Sequence, residues 1–242
     1  MARLPRLAAA DYVHLLTQRG HNGEAMFRDD RDRERFVQLL REAALAHRVA
    51  IHAWALADSE LLLLATPAEA PGLGRMMQAL GRRYVGEFNR RHARSGTLWD
   101  GRFRATAIEA EAWLLDCICY VELAALRAGS ASEAQAQRWS SARYHLGLAP
   151  DALVSDHPLY WAIGNTPFER EAAHRRLLER GLGAAQARMI ADAAAKGWAL
   201  GSAPFAALLA ERSGRRVVPG KRGRPRGKTE APVPASTMSP NK

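Results

Sequence analysis

Two cysteines in 242 residues, Cys117 and Cys119, leave nothing from which to build a disulfide framework. They stand two positions apart, too close for an ordinary structural disulfide, and no second pair exists to complete a thiolate zinc centre. A reducing, cytoplasmic setting is the expectation. No run of about 18 apolar residues occurs, so no membrane-spanning helix is expected. Near the N-terminus Ala8, Ala9 and Ala10 meet Asp11 at once, too short an apolar stretch for a signal peptide. There is no Gly-x-x-x-x-Gly-Lys loop to cradle a phosphate, and Ser140 and Ser141 lack the Gly-x-Ser-x-Gly frame of a hydrolase elbow. None of the eight histidines stands at ligand spacing from another.

What is present is positive charge on a globular background. Apolar residues make up 48% and charged residues 25%, and 35 basic against 25 acidic side chains give a net +10. Most of the basic residues are arginine, whose planar fork donates two hydrogen bonds to one phosphate. A polyanion partner fits that balance; so does a coding bias toward alanine and arginine.

Residues 12–18 are rich in strand formers and end in a turn at Gly20 to Gly23. Asp29 or Asp30 can cap a helix carrying Phe36, Leu39, Leu40, Ala43 and Ala44 at helical spacing. Residues 51–56 and 61–65 read as buried strand, either two strands with a turn or one with a polar interruption. A second helix is predicted over 71–92, a short strand within 97–108 and a third helix over 113–126. The order βαββαβα predicts an α+β fold, an antiparallel sheet with helices on one face. Past Gly147 four helices are predicted, at 157–163, 167–180, 184–196 and 204–212. The chain therefore divides into residues 1–149, a helical region 150–213 and a basic tail 214–242, solvated and disordered when free.

Several blocks follow one another in order: Gln18 to Asn22, Phe27 to Asp30, Phe88 to His92, Gly96 to Phe103, Tyr120 to Leu123, Arg127 to Gly129 and Trp139 to Ser141, followed by His157 to Tyr160, Trp198 to Gly201 and Arg222 to Pro225. Together they resemble the signature blocks of REP-associated tyrosine transposases. The resemblance spans roughly residues 11–228. It implies a ferredoxin-like fold and the chemistry of the His-hydrophobic-His nucleases. In that chemistry a tyrosine hydroxyl attacks a DNA phosphodiester, leaving a phosphotyrosine and a free 3′-hydroxyl. A divalent metal on two histidines polarises the phosphoryl oxygen, because a phenol of pKa about 10 is a poor nucleophile at neutral pH.

On this resemblance Tyr120 holds the nucleophile position. Counting back from the strand end at Pro67, the two histidine positions hold Glu60 and Leu62, and the polar residue one turn after the tyrosine is Ala124. Leucine and alanine have no ligand atom, so cleavage is expected to be impaired while DNA binding remains. Asp58 and Glu60 offer an alternative, as two carboxylates on one strand face for Mg²⁺ or Mn²⁺; no other cofactor is indicated. The expected DNA contacts are Arg19, Arg82, Arg83, Arg90, Arg91, Arg94, Arg102 and Arg104, with Trp99 and Phe103 as stacking surfaces for unpaired bases. In the tail, Arg222 and Arg224 belong to an AT-hook-like segment, residues 221–228, suited to the minor groove of A·T tracts. The expected partner is DNA, single-stranded or hairpin-forming; the rival readings are an active nickase with an altered site and a ferredoxin-like module binding RNA or protein.

Overall fold

The computed structural model describes residues 7–129 and 137–219. The chain runs β1 (His14–Arg19), α1 (Asp30–Ala46), β2 (Val49–Ala57), β3 (Glu60–Pro67), α2 (Gly72–Arg91) and β4 (Arg104–Ala107). The strands form one antiparallel sheet in the spatial order β2-β3-β1-β4, as a βαββαβ ferredoxin-like unit requires. The Asp29 side chain caps α1 by accepting from the Asp32 amide at 3.0 Å. On α2, Leu73, Met76, Met77, Leu80, Tyr84 and Phe88 recur at helical spacing. They bury against Phe36, Leu39 and Leu40 of α1 and against Leu16, Trp54 and Leu63 of the sheet.

His52 decides which strand positions meet that layer. It is the extra residue of a β-bulge, since Ile51 pairs with Ala65 and Ala53 with Leu64. The bulge shifts the alternation by one. Val49 and Ile51 thus share the α1–α2 layer with Trp54 and Leu56, while Ala53 and Ala55 face the other way. The strand expected within 97–108 is confined to Arg104–Ala107.

The expected single helix layer is the α1–α2 layer, but the opposite face is covered as well. Val13, Leu15, Leu62 and Leu64 make that face equally apolar. α3 (Ala110–Glu122) crosses it, and the helix expected over 113–126 breaks at Leu123 before α4 (Ala124–Arg127). The short helices α5 (Ala142–His145) and α6 (Pro158–Trp161) lead to α7 (Pro167–Arg180), which starts at a Thr166–Glu169 capping box. α8 (Ala184–Lys196) then lies across β1 and β4 beside α3, burying Ile190, Ala193 and Ala194. After α9 (Ala203–Ser213) the expectation of a solvated tail fails for the first residues. Val217 is buried with Leu7, Ala107 and Leu209, and its carbonyl accepts from the Ala199 amide at 2.8 Å. The apolar side chain at 217 anchors a segment whose charge alone suggested exposure. The AT-hook-like stretch 221–228 lies outside the described residues.

One buried carboxylate links three of these helices. Glu122, at the end of α3, accepts from Ser141 Oγ at 2.6 Å, His145 Nδ1 at 2.5 Å and His174 Nε2 at 2.7 Å. Removing it leaves three buried donors without their acceptor. Glu122→Ala is therefore expected to lower unfolding stability by about 3–5 kcal/mol in urea denaturation. Glu179→Ala, on the exposed side of α7, should cost no more than about 0.5 kcal/mol. Equal midpoints for the two variants would contradict this role.

His14 and His52 impose a second condition, on pH. His14 donates from Nδ1 to the Tyr12 carbonyl at 2.7 Å and accepts the Ala9 amide at Nε2 at 3.3 Å. His52 donates from Nδ1 to the Ser155 carbonyl at 2.7 Å and accepts the Thr66 hydroxyl at Nε2 at 2.8 Å. Each ring thus uses one nitrogen as donor and one as acceptor, so a second proton has nowhere to go. Burial pushes both pKa values down to about 4. Between about pH 6.5 and 4 the unfolded chain binds protons that the folded chain refuses. The stability these two rings contribute is complete above about pH 6.5 and falls by about 1.4 kcal/mol per pH unit per histidine from there to about pH 4. The urea midpoint is expected to drop between pH 7 and pH 5, with a shallower slope in His14→Gln; an identical slope in that variant would contradict the account.

Candidate functional site

Residues opposite one another in an antiparallel sheet share a face, so the pairing of β1 lines up rows across three strands. Arg19 faces Glu60; Thr17 faces Leu62 on β3 and Arg104 on β4; Leu15 faces Leu64 and Thr106. Leu15, Leu62 and Leu64 of this face pack against Cys117, Ile118 and Val121 of α3. At the end of that apolar patch lies a cleft of about 100 Å³. It is lined by Thr17, Arg19, Glu60, Asp100, Arg102, Arg104 and Tyr120, with Ala191, Ala194 and Ala195 of α8 forming one wall.

Tyr120 is half-buried, and the Arg127 guanidinium lies over its ring face, 3.8 Å from the centroid, in a cation–π contact. Arg19 Nε donates to Glu60 Oε1 at 2.8 Å. Arg102 and Arg104 are exposed. The cleft thus holds one phenol, three arginines and two carboxylates. Arginine forks suit phosphodiester oxygens, and the excess of positive charge favours an anionic ligand.

Of the ligand positions read from the sequence, Glu60 carries a ligand atom, and Leu62 and Ala124 carry none. Leu62 and Ala124 are buried in the same apolar cluster, against which Tyr120 packs. Asp58 and Glu60 do not share a strand face. Asp58 lies in the two-residue turn between β2 and β3 and pairs with Arg33, whereas Glu60 opens β3 and pairs with Arg19. The carboxylate pair considered for Mg²⁺ or Mn²⁺ is separated by that turn.

Of the expected DNA contacts, the cleft gathers Arg19, Arg102 and Arg104. The arginines of α2 belong to the layer on the opposite face of the sheet. There Arg83 pairs with Glu42 at 2.5 Å, Arg91 with Asp29 and Asp32, and Arg94 with Glu24 at 3.2 Å; Arg82 and Arg90 are exposed. Trp99 is half-buried with its ring over Gly81, where a Cβ would come within 2.5 Å of it. Phe103 is buried in the α1–α2 core. These two rings are packing groups and not open stacking faces.

Sequence reasoning missed the grouping of Glu122, His145 and His174. Their ligand atoms lie within 4.8 Å of one another, although no histidine stands at ligand spacing along the sequence. The only available hint was that Glu122 and Ser141 both stand in the ordered blocks; those blocks meet in space. Others pair likewise: His21 donates its amide to Leu98 at 2.9 Å, and Asp100 its amide to Arg19 at 2.8 Å. Glu122 follows Tyr120 by two residues, about 200° around the helix, so the cluster and the cleft lie on different sides of α3.

No protein-family profile matches the sequence, and no curated protein matches it. Solved structures do match. One is the REP-associated tyrosine transposase bound to a REP hairpin, with a TM-score of 0.53 and 13% identity, covering 65% of this chain and 96% of that one. At that identity the likeness is one of fold: this chain is built on the same α+β fold as the hairpin-bound transposase, with roughly a further third of its length added.

Proposed function

We propose that this chain is a transposase-type DNA-binding protein that holds single-stranded, hairpin-forming DNA at the Tyr120 cleft, and that its capacity for tyrosine-mediated cleavage is impaired. The observation that carries the reading is the combination found there. Tyr120 stands among Arg19, Arg102 and Arg104, while Leu62 and Ala124 present hydrocarbon at two of the three positions where the resemblance calls for polar groups. Glu60 remains, but its carboxylate already accepts from Arg19. The three arginines can neutralise a phosphate and orient it against the phenol. Nothing among the ligand positions polarises a phosphoryl oxygen enough for a neutral phenol to attack it. In this reading the tail residues Arg222 and Arg224 add affinity for A·T-rich duplex next to the hairpin.

Two measurements check the binding claim. DNA hairpins are expected to bind the full chain more tightly than RNA hairpins of the same sequence; a preference for the RNA would instead favour an RNA-binding module. Arg102→Ala and Arg104→Ala should each weaken DNA binding by about tenfold and reduce the slope of log K against log salt by about 0.7–0.9, one phosphate's share. Tyr120→Phe should leave affinity unchanged. Unaltered affinity and salt slope in both arginine variants would remove the cleft from the binding surface.

A further inference from the structure

We propose that Glu122, His145 and His174 form a zinc site that fastens α5 and α7 to α3. It is separate from the Tyr120 cleft and from the histidine positions that have been lost. The three residues come from three helices and converge with ligand atoms within 4.8 Å of one another. Their side chains are 0–1% exposed. Two imidazoles and a carboxylate are a donor set suited to zinc, whereas Mg²⁺ and Ca²⁺ favour all-oxygen shells. Zinc bonds of about 2.0–2.2 Å place tetrahedral donors about 3.3 Å apart. The two Glu122–histidine contacts, 2.5 and 2.7 Å, need only open by about 0.6–0.8 Å to admit the ion.

The surroundings fit an ion better than hydrogen bonds alone. His145 Nε2, His174 Nδ1 and Asp156 Oδ1 are all buried without a hydrogen-bond partner. Three such atoms around one carboxylate are unusual in a folded interior. With an ion on Nδ1 of His145, the ring proton sits on Nε2, 3.7 Å from Asp156 Oδ1. Closing that gap to about 3.0 Å as the ion enters would complete the carboxylate–imidazole–metal relay by which outer groups orient a metal-bound histidine. Charge also closes: a dication offsets the carboxylates of Glu122 and Asp156, leaving both imidazoles neutral. The Ser141 hydroxyl, 2.6 Å from Glu122 Oε1, holds the carboxylate in place.

The test uses the full chain, stripped with chelator and returned to zinc in a metal-buffered solution. About one zinc per chain is expected to survive gel filtration. The thermal midpoint should rise by about 5–10 °C at free zinc a hundredfold above Kd. His174→Gln keeps a donor toward Glu122 but loses the ring, so it should fold with unchanged circular dichroism, lose the bound zinc and show no rise. Should that variant fail to fold, X-ray absorption of the zinc-loaded wild type decides, with histidine nitrogens in the inner shell expected. Wild type with no zinc-dependent rise, equal zinc retention in folded His174→Gln, or an inner shell without histidine would each overturn the proposal.

Discussion

A carboxylate with no exposed surface stays charged only if donors or cations converge on it, and much of this molecule is arranged around meeting that condition for Glu122. Its partners come from the loop before α5, from α5 and from α7, so the carboxylate holds the C-terminal helices against the last turn of α3. Once α7 is held there, α8 is delivered onto β1 and β4, where Ile190, Ala193 and Ala194 complete the second apolar layer. An isolated α8 has little reason to be helical in water; its alanine-rich face is stabilised by the sheet it covers.

The same helix α3 carries Tyr120 on another side. The cleft around Tyr120 is therefore bounded by elements that the Glu122 cluster positions: α3 directly, and α8 through α7. Leu62 and Ala124 belong to the second apolar layer, against which Tyr120 packs. Burial of the leucine side chain contributes on the order of 1.5–3 kcal/mol to that layer. The polar remainder of the cleft is arginines with Glu60 and Asp100, the composition on which the proposed phosphate-holding role rests.

Much of this was legible in the sequence where local physics rules. The strand-forming run 12–18, a helix cap at Asp29 or Asp30 and the second helix over 71–92 all read directly, because each depends on neighbours within one or two turns. The bulge at His52 was not legible: a single extra residue in a run of apolar ones leaves no compositional mark, yet it sets which side of β2 meets which helix layer. The anchoring of Val217 and the packing of Trp99 on Gly81 depend on partners far along the chain, so charge and aromaticity alone suggested solvent or ligand. Within the cleft, Tyr120 was found by its place in an ordered block, and Glu60 by counting back from the strand end at Pro67. Asp100 and the wall of α8 were not, since only the fold brings them there. His145 and His174 stand 23 and 52 residues from Glu122, a spacing that carries no ligand signature.

The central claim is that the Tyr120 cleft grips DNA without cutting it. The direct measurement is a denaturing gel of labelled hairpin DNA incubated with the full chain in Mg²⁺ or Mn²⁺, beside Tyr120→Phe. The account predicts intact DNA and no covalent protein–DNA species in either lane. A metal-dependent adduct that disappears in Tyr120→Phe would contradict it, and would mean that the cleft activates its tyrosine despite Leu62 and Ala124.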